Sequence, residues 1–188
     1  MRKIGIIAVL SLLVTAFAAV PVLAQTSGAH FTRNGEPVCT ITDSGGATAS
    51  VDCTSELAGL GNEDIISSTT VSGFAVYTCQ NQGGNQAPGQ NRVLEGPTTT
   101  PVTIPAGEIK NGRATVPGTS TLTAAPTVSG AAAGCPNNNW TGVNPEVTIT
   151  SVTFSATQGG VLLFTSTASN PQGLTGTFSP TVTGGVAA

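Results

Sequence analysis

Apolar and β-branched residues recur in short runs along the chain, punctuated by Gly, Pro, Asn and Asp, and no stretch keeps the period of an amphipathic helix. The pattern predicts strands near residues 37–42, 48–53, 65–78, 99–104, 113–116, 120–124, 146–155, 161–167 and 176–182. In the run 65–78, Phe74 and Val76 fall on one face and Ala75 and Tyr77 on the other. Both faces carry bulk, as in a central strand. In the run 146–155 the apolar positions are Val147, Ile149, Val152 and Phe154, so the alternation slips by one residue. A β-bulge near Ser151 brings all four to the core. Asn111-Gly112 between two apolar segments is a two-residue hairpin turn, and Gln158-Gly159-Gly160 is a second. Residues 80–92 and 130–145 read as polar, Asn-rich loops, and the Gly/Ala tail 183–188 as a frayed end.

These elements add up to an all-β fold, most simply one two-sheet Greek-key sandwich of about seven to nine strands. It is immunoglobulin-like in architecture only. A true immunoglobulin domain places its core Trp between the bridged cysteines, whereas Trp140 follows the last one.

The first 24 residues read as an address. Arg2 and Lys3 precede an apolar run, Pro21 ends it, and Val22 and Ala24 supply small residues before a cut between Ala24 and Gln25. No later run is long and apolar enough to span a membrane as a helix, and no Cys stands immediately after the cut to carry a lipid. The expected mature chain, 25–188, is one domain, secreted or associated with the cell envelope.

Composition narrows the reading further. Only 8% of residues are charged, and the mature part holds four basic residues (Arg33, Arg92, Lys110, Arg113) against nine acidic ones. That excludes a nucleic-acid binder, which needs cations to neutralise phosphates. Threonine supplies 29 of the 164 mature residues, and its branched, half-polar side chain suits the wet face of a sheet.

The four cysteines (Cys39, Cys53, Cys79, Cys135) all follow the signal, so disulfides are the expected state. Of three possible connectivities, a hairpin through the turn-rich segment 43–46 brings Cys39 to Cys53, leaving Cys79 for Cys135. Spacing argues against zinc, since no two cysteines lie within four residues of each other. If Cys79 and Cys135 are joined, the two Asn-rich loops lie side by side.

The blocks Gly59-Leu60-Gly61-Asn62, Cys79-Gln80-Asn81-Gln82-Gly83-Gly84-Asn85 and Cys135-Pro136-Asn137-Asn138-Asn139-Trp140-Thr141 resemble those of small exported β-rich proteins of actinobacterial type. The resemblance implies a bacterial exported origin and carries no activity with it.

Catalytic chemistry finds few candidates. A hydrolytic triad needs a His beside its nucleophile, and the only His is His30, close to the mature N-terminus. Glu63 and Asp64 are adjacent, which in a strand points them apart. Asp43, Asp52, Glu56, Glu63 and Asp64 lack the spaced pattern of a calcium loop. The expectation is therefore a non-enzymatic exported domain, without metal or cofactor, that binds or serves structurally at or outside the envelope. An alternative is a carbohydrate or small apolar ligand module using Trp140, Asn81, Asn85, Asn137, Asn138 and Asn139, with cell-wall glycan or another envelope component as the partner. A protease inhibitor presenting residues 80–92 is a third reading.

Overall fold

Alternation of buried and more exposed residues along β3 (Thr48–Ala58) and β4 (Ile65–Gln80), broken at 57–58 and 73–75, gives each strand one face for a core and one for solvent. The computed structural model describes residues 28–43 and 45–187, so the expected signal segment and its expected cleavage point lie outside the described residues. Two antiparallel sheets pack face to face. In the first, β3 pairs with β6 (Ala114–Thr123) along one edge, and along the other with β2 (Val38–Asp43) and β1 (His30–Phe31). β10 (Thr177–Phe178) adds to β2. The second runs β5 (Gln86–Ile104), β4, β8 (Thr141–Gln158), β9 (Val161–Ser169), β11 (Thr181–Gly184), with β7 (Thr127–Ser129) beside the start of β8. β6 returns beside β3, the first strand of the four from β3 to β6, which is the Greek-key relation.

The core lies between the sheets. β4 contributes Ile65, Val71, Ala75 and Tyr77, β8 the expected Val147, Ile149, Val152 and Phe154, β9 Leu163 and Phe164, and β3 and β6 contribute Val51, Leu57, Val116 and Leu122. Phe154 meets Phe164 edge-on at 5.1 Å between ring centroids. The four β8 residues share the core because of a bulge. Ser72 pairs with Ser151 and Gly73 with Ile149, leaving Thr150 unpaired and shifting the alternation by one. Gly73 is required there, since a side chain would strike the Thr148 carbonyl. β4 is central, between β5 and β8. Both hairpin turns also form: Asn111 and Gly112 have φ 52° and 70°, Gly159 and Gly160 56° and 78°.

Several elements differ from the sequence expectation. Eleven strands form among the described residues, more than the seven to nine expected, because two-residue and three-residue pairings such as β1, β7 and β10 have no periodicity to read. The segments 113–116 and 120–124 merge into β6. Pro117 sits on an edge strand, where its missing N–H breaks no second ladder. Most of the expected loop 80–92 is strand: β5 begins at Gln86, Pro88 pairs with Thr78, and Gly89, Gln90 and Asn91 are absorbed by an irregularity opposite Tyr77. The loop 130–145 shrinks likewise, with a helix, α1 (Gly130–Ala133), at its start and Thr141 already in β8. The run 176–182 splits between sheets, into β10 and β11. The tail is docked: Val186 and Ala187 donate to the carbonyls of Leu162 and Leu163 at 3.1 and 2.8 Å, and Ala187 is buried.

Truncating Phe154 to Ala is expected to remove about 3–5 kcal/mol of stability in equilibrium denaturation. Its neighbour Thr153, on the outer face, changes stability by less than about 0.5 kcal/mol on the same substitution. Equal losses at the two positions would contradict this assignment of faces.

Candidate functional site

Cys79 ends the inner face of β4, fully buried, and bonds to Cys135 just beyond α1, with 5.6 Å between their α-carbons. The second bridge joins Cys39 to Cys53, directly opposed across the β2–β3 hairpin. Both expected pairings are present.

The Cys79–Cys135 bridge sets two loops beside the Gln80–Thr141 pair that closes the β4–β8 ladder. Each loop is folded by its own asparagine. The Asn81 Oδ1 accepts from the amides of Gly83 and Asn85, both at 2.9 Å, and the Asn81 amide donates to the Asn85 carbonyl at 3.0 Å. Asn137 repeats the device: its Oδ1 accepts from the Asn139 amide at 3.0 Å, and its carbonyl from Trp140 at 3.2 Å. Ser129 caps α1 by accepting from the Ala132 amide at 3.2 Å, and Gly134, in a left-handed conformation, ends it.

Among the six residues expected to bind, Asn85, Asn137, Asn138 and Asn139 are exposed. Asn81 is half-buried, and Trp140 is half-buried against the edge of the core. The carboxamide oxygens of Asn81 and Asn137 are engaged by backbone, so a ligand here meets their NH₂ donors, the exposed side-chain carboxamides of Asn138 and Asn139, and the half-exposed indole.

Tyr77 lies two residues before the bridge, buried, with its hydroxyl donating to the Ala125 carbonyl at 2.9 Å. Burial, and secondarily the Glu95 charge, raise its pKa above the ordinary tyrosine value, while burial alone raises that of Glu95. On the outer face Arg92 lies over the Phe74 ring, 4.3 Å from its centroid, and donates to the Pro171 carbonyl and to Gln172 at 3.1 and 3.3 Å. This roof explains why Phe74 is buried on a solvent-facing side.

The opposite end of the ladder holds His30, Glu63 and Asp64, whereas Asp43 and Asp52 lie along the β2–β3 pairing. His30 is exposed on the two-residue β1, its Nδ1 2.8 Å from the Gly28 carbonyl oxygen. Asp64 accepts from the Ala106 amide at 2.8 Å, and Glu63 is exposed. The buried Gln158 side chain pins the 59–64 loop: it accepts from the Gly61 amide at 2.9 Å and donates to the carbonyls of Gly61 and Glu63 at 3.1 and 2.8 Å. Beside this loop is a cleft of about 400 Å³ lined by Thr32, Glu56, Leu57, Glu108, Lys110, Arg113, Ala114 and Thr115. The sequence reading overlooked it, although three charges within residues 108–113 of so uncharged a chain were a usable signal.

Because a raised folded pKa favours the protonated fold, Tyr77 stabilises the protein up to about pH 10 and loses that contribution as pH climbs through its folded value. By the same sign, stability from Glu95 is lost as pH rises from its usual carboxyl range through its raised value. Tyrosinate absorbance of this single Tyr is expected to titrate above about pH 10, and Glu95→Gln to lower that midpoint. A midpoint unmoved by Glu95→Gln contradicts the influence of the Glu95 charge on Tyr77. No protein-family model matches the chain, and no curated protein matches it in sequence, so the functional reading rests on the molecule itself.

Proposed function

We propose that the chain is exported and works outside the cytoplasm or at the cell envelope as a non-enzymatic β-domain that binds an envelope component or serves structurally there. One observation carries the proposal: all four cysteines are paired in two bridges, one stapling a sheet and one locking two surface loops. Bridges of this kind persist in oxidising compartments and are rare where thiols are kept reduced. The outer faces support the same reading. Thr99, Thr70, Thr153, Thr167 and Thr181 stand in register across all five main strands of the second sheet, giving an uncharged hydroxyl surface.

A second reading, glycan binding at the bridged loops, draws on the half-exposed Trp140 beside Asn138 and Asn139. An aromatic face with neighbouring amides suits stacking and hydroxyl recognition. A protease inhibitor would have only the five residues 81–85 to present, since 86–92 are strand.

Expression of the full chain in a bacterial host with general secretion is expected to release a protein beginning at Gln25, outside the cytoplasm and without reactive thiols. Retention of the uncut precursor in the cytoplasm, with its thiols free, would overturn the proposal. In the exported protein, replacing Cys79 and Cys135 together by Ala is expected to lower stability by about 2–5 kcal/mol in urea titration. If the glycan reading holds, soluble cell-wall polysaccharide shifts the fluorescence of the single Trp saturably, and Asn138→Ala weakens the response. An unresponsive Trp140 removes that reading.

A further inference from the structure

Charge is scarce in this chain and unevenly placed. Of the thirteen charged residues expected in the mature part, eight (Arg33, Glu36, Glu56, Glu63, Asp64, Glu108, Lys110, Arg113) lie at the end of the sandwich opposite the Cys79–Cys135 bridge. Four of them, two of each sign, line one cleft: Glu56 and Glu108, Lys110 and Arg113. None of these four forms an ion pair within 4.0 Å among the described residues. The Glu56 carboxylate accepts from the Thr32 hydroxyl at 3.2 Å, and the Lys110 ammonium donates to the Gly107 carbonyl. The charges have converged without neutralising one another.

The frame beneath them is rigid. Lys110 and Arg113 flank the Asn111-Gly112 turn and exchange backbone hydrogen bonds, both at 2.9 Å. The turn is tied to the 59–64 loop by the Leu60 amide donating to the Gly112 carbonyl at 3.0 Å. That loop is held in turn by Gln158. Glu56 is fixed opposite Thr115 by the β3–β6 register, and the next pair, Leu57 with Ala114, ties the cleft to the core, where Leu57 is fully buried. A site that is already ordered loses less entropy on binding.

We infer that this cleft binds a zwitterionic ligand, an amino acid or short peptide with free amino and carboxyl termini. The guanidinium of Arg113, with Lys110, suits a carboxylate, for which the arginine fork is shaped. Glu56 and Glu108 suit an ammonium group. A simple anion or cation would meet like charge in the same cleft, and a neutral sugar would leave four charges unanswered. A net-neutral ligand with separated charges answers both signs, and about 400 Å³ lies in the range of small-molecule sites. The inference rests on the reading of the chain as a binding domain, and its test is separate from the test of export.

The probe is glycylglycine, titrated calorimetrically into the disulfide-intact exported protein at low ionic strength, beside its C-terminal amide and its N-acetyl form. Saturable binding is expected for the free dipeptide. Each capped form, and each of Arg113→Gln and Glu108→Gln, is expected to bind about three- to tenfold more weakly, as removal of one partly exposed charge contact implies. Added salt should weaken binding further. All four charged side chains are exposed, so the variants retain the wild-type melting temperature, which is checked in parallel. Absence of a saturable response, equal binding of the capped dipeptides, or unchanged affinity in both variants would overturn the inference.

Discussion

The pairing of β4 with β8 governs the rest of the molecule. It runs from Ile65 opposite Gln158 to Gln80 opposite Thr141, joining the sixteen residues of β4 to the eighteen of β8. Such a ladder must keep one face apolar over its whole length, and a straight register would turn half of β8 outward. The extra residue at Thr150 restores the phase, and with it Val147, Ile149, Val152 and Phe154 face one core. Both ends of the ladder then become anchors. At one, Cys79 and the Gln80–Thr141 pair fix the two asparagine loops; at the other, Gln158 fixes the loop that buttresses the charged cleft.

A chain with so few charges must hold itself together by other means. Apolar burial, two long ladders and two covalent bridges supply them, while threonine serves the outer faces, where its branched carbon favours a strand and its hydroxyl meets water. Hydroxyl pairs across strands, such as Thr70 with Thr99 at 2.8 Å and Ser50 with Thr121 at 2.9 Å, satisfy these groups without charge. Against that background the eight charges gathered at one end are the exception that asks for a functional account.

What the sequence shows depends on whether a physical requirement is local. The bulge, the Asn111-Gly112 turn, the Cys39–Cys53 hairpin and the central place of β4 are each written within a few residues, as a slip in alternation, a need for positive φ, or bulk on both faces. The second bridge then follows. The start of β5 was hidden because Gly, Pro and Asn signal a loop locally, while an edge strand tolerates them at irregularities. β10 and β11 were hidden because only the tertiary fold decides which sheet a short segment joins. The cleft was illegible for the same reason: the β3–β6 register brings Glu56 to the segment Glu108–Arg113, half a hundred residues away in the chain.

The claim that the β4–β8 ladder is the spine of the fold is most directly tested by native-state hydrogen exchange, resolved by residue. The amides along the inner stretch of this ladder should be the slowest to exchange and should share the free energy of global unfolding. The edge strands β1, β10 and β11 should open earlier, at lower free energy. If β4 and β8 exchanged through a partial opening while β3 and β6 stayed protected, the ladder would not be the element on which the two ends depend.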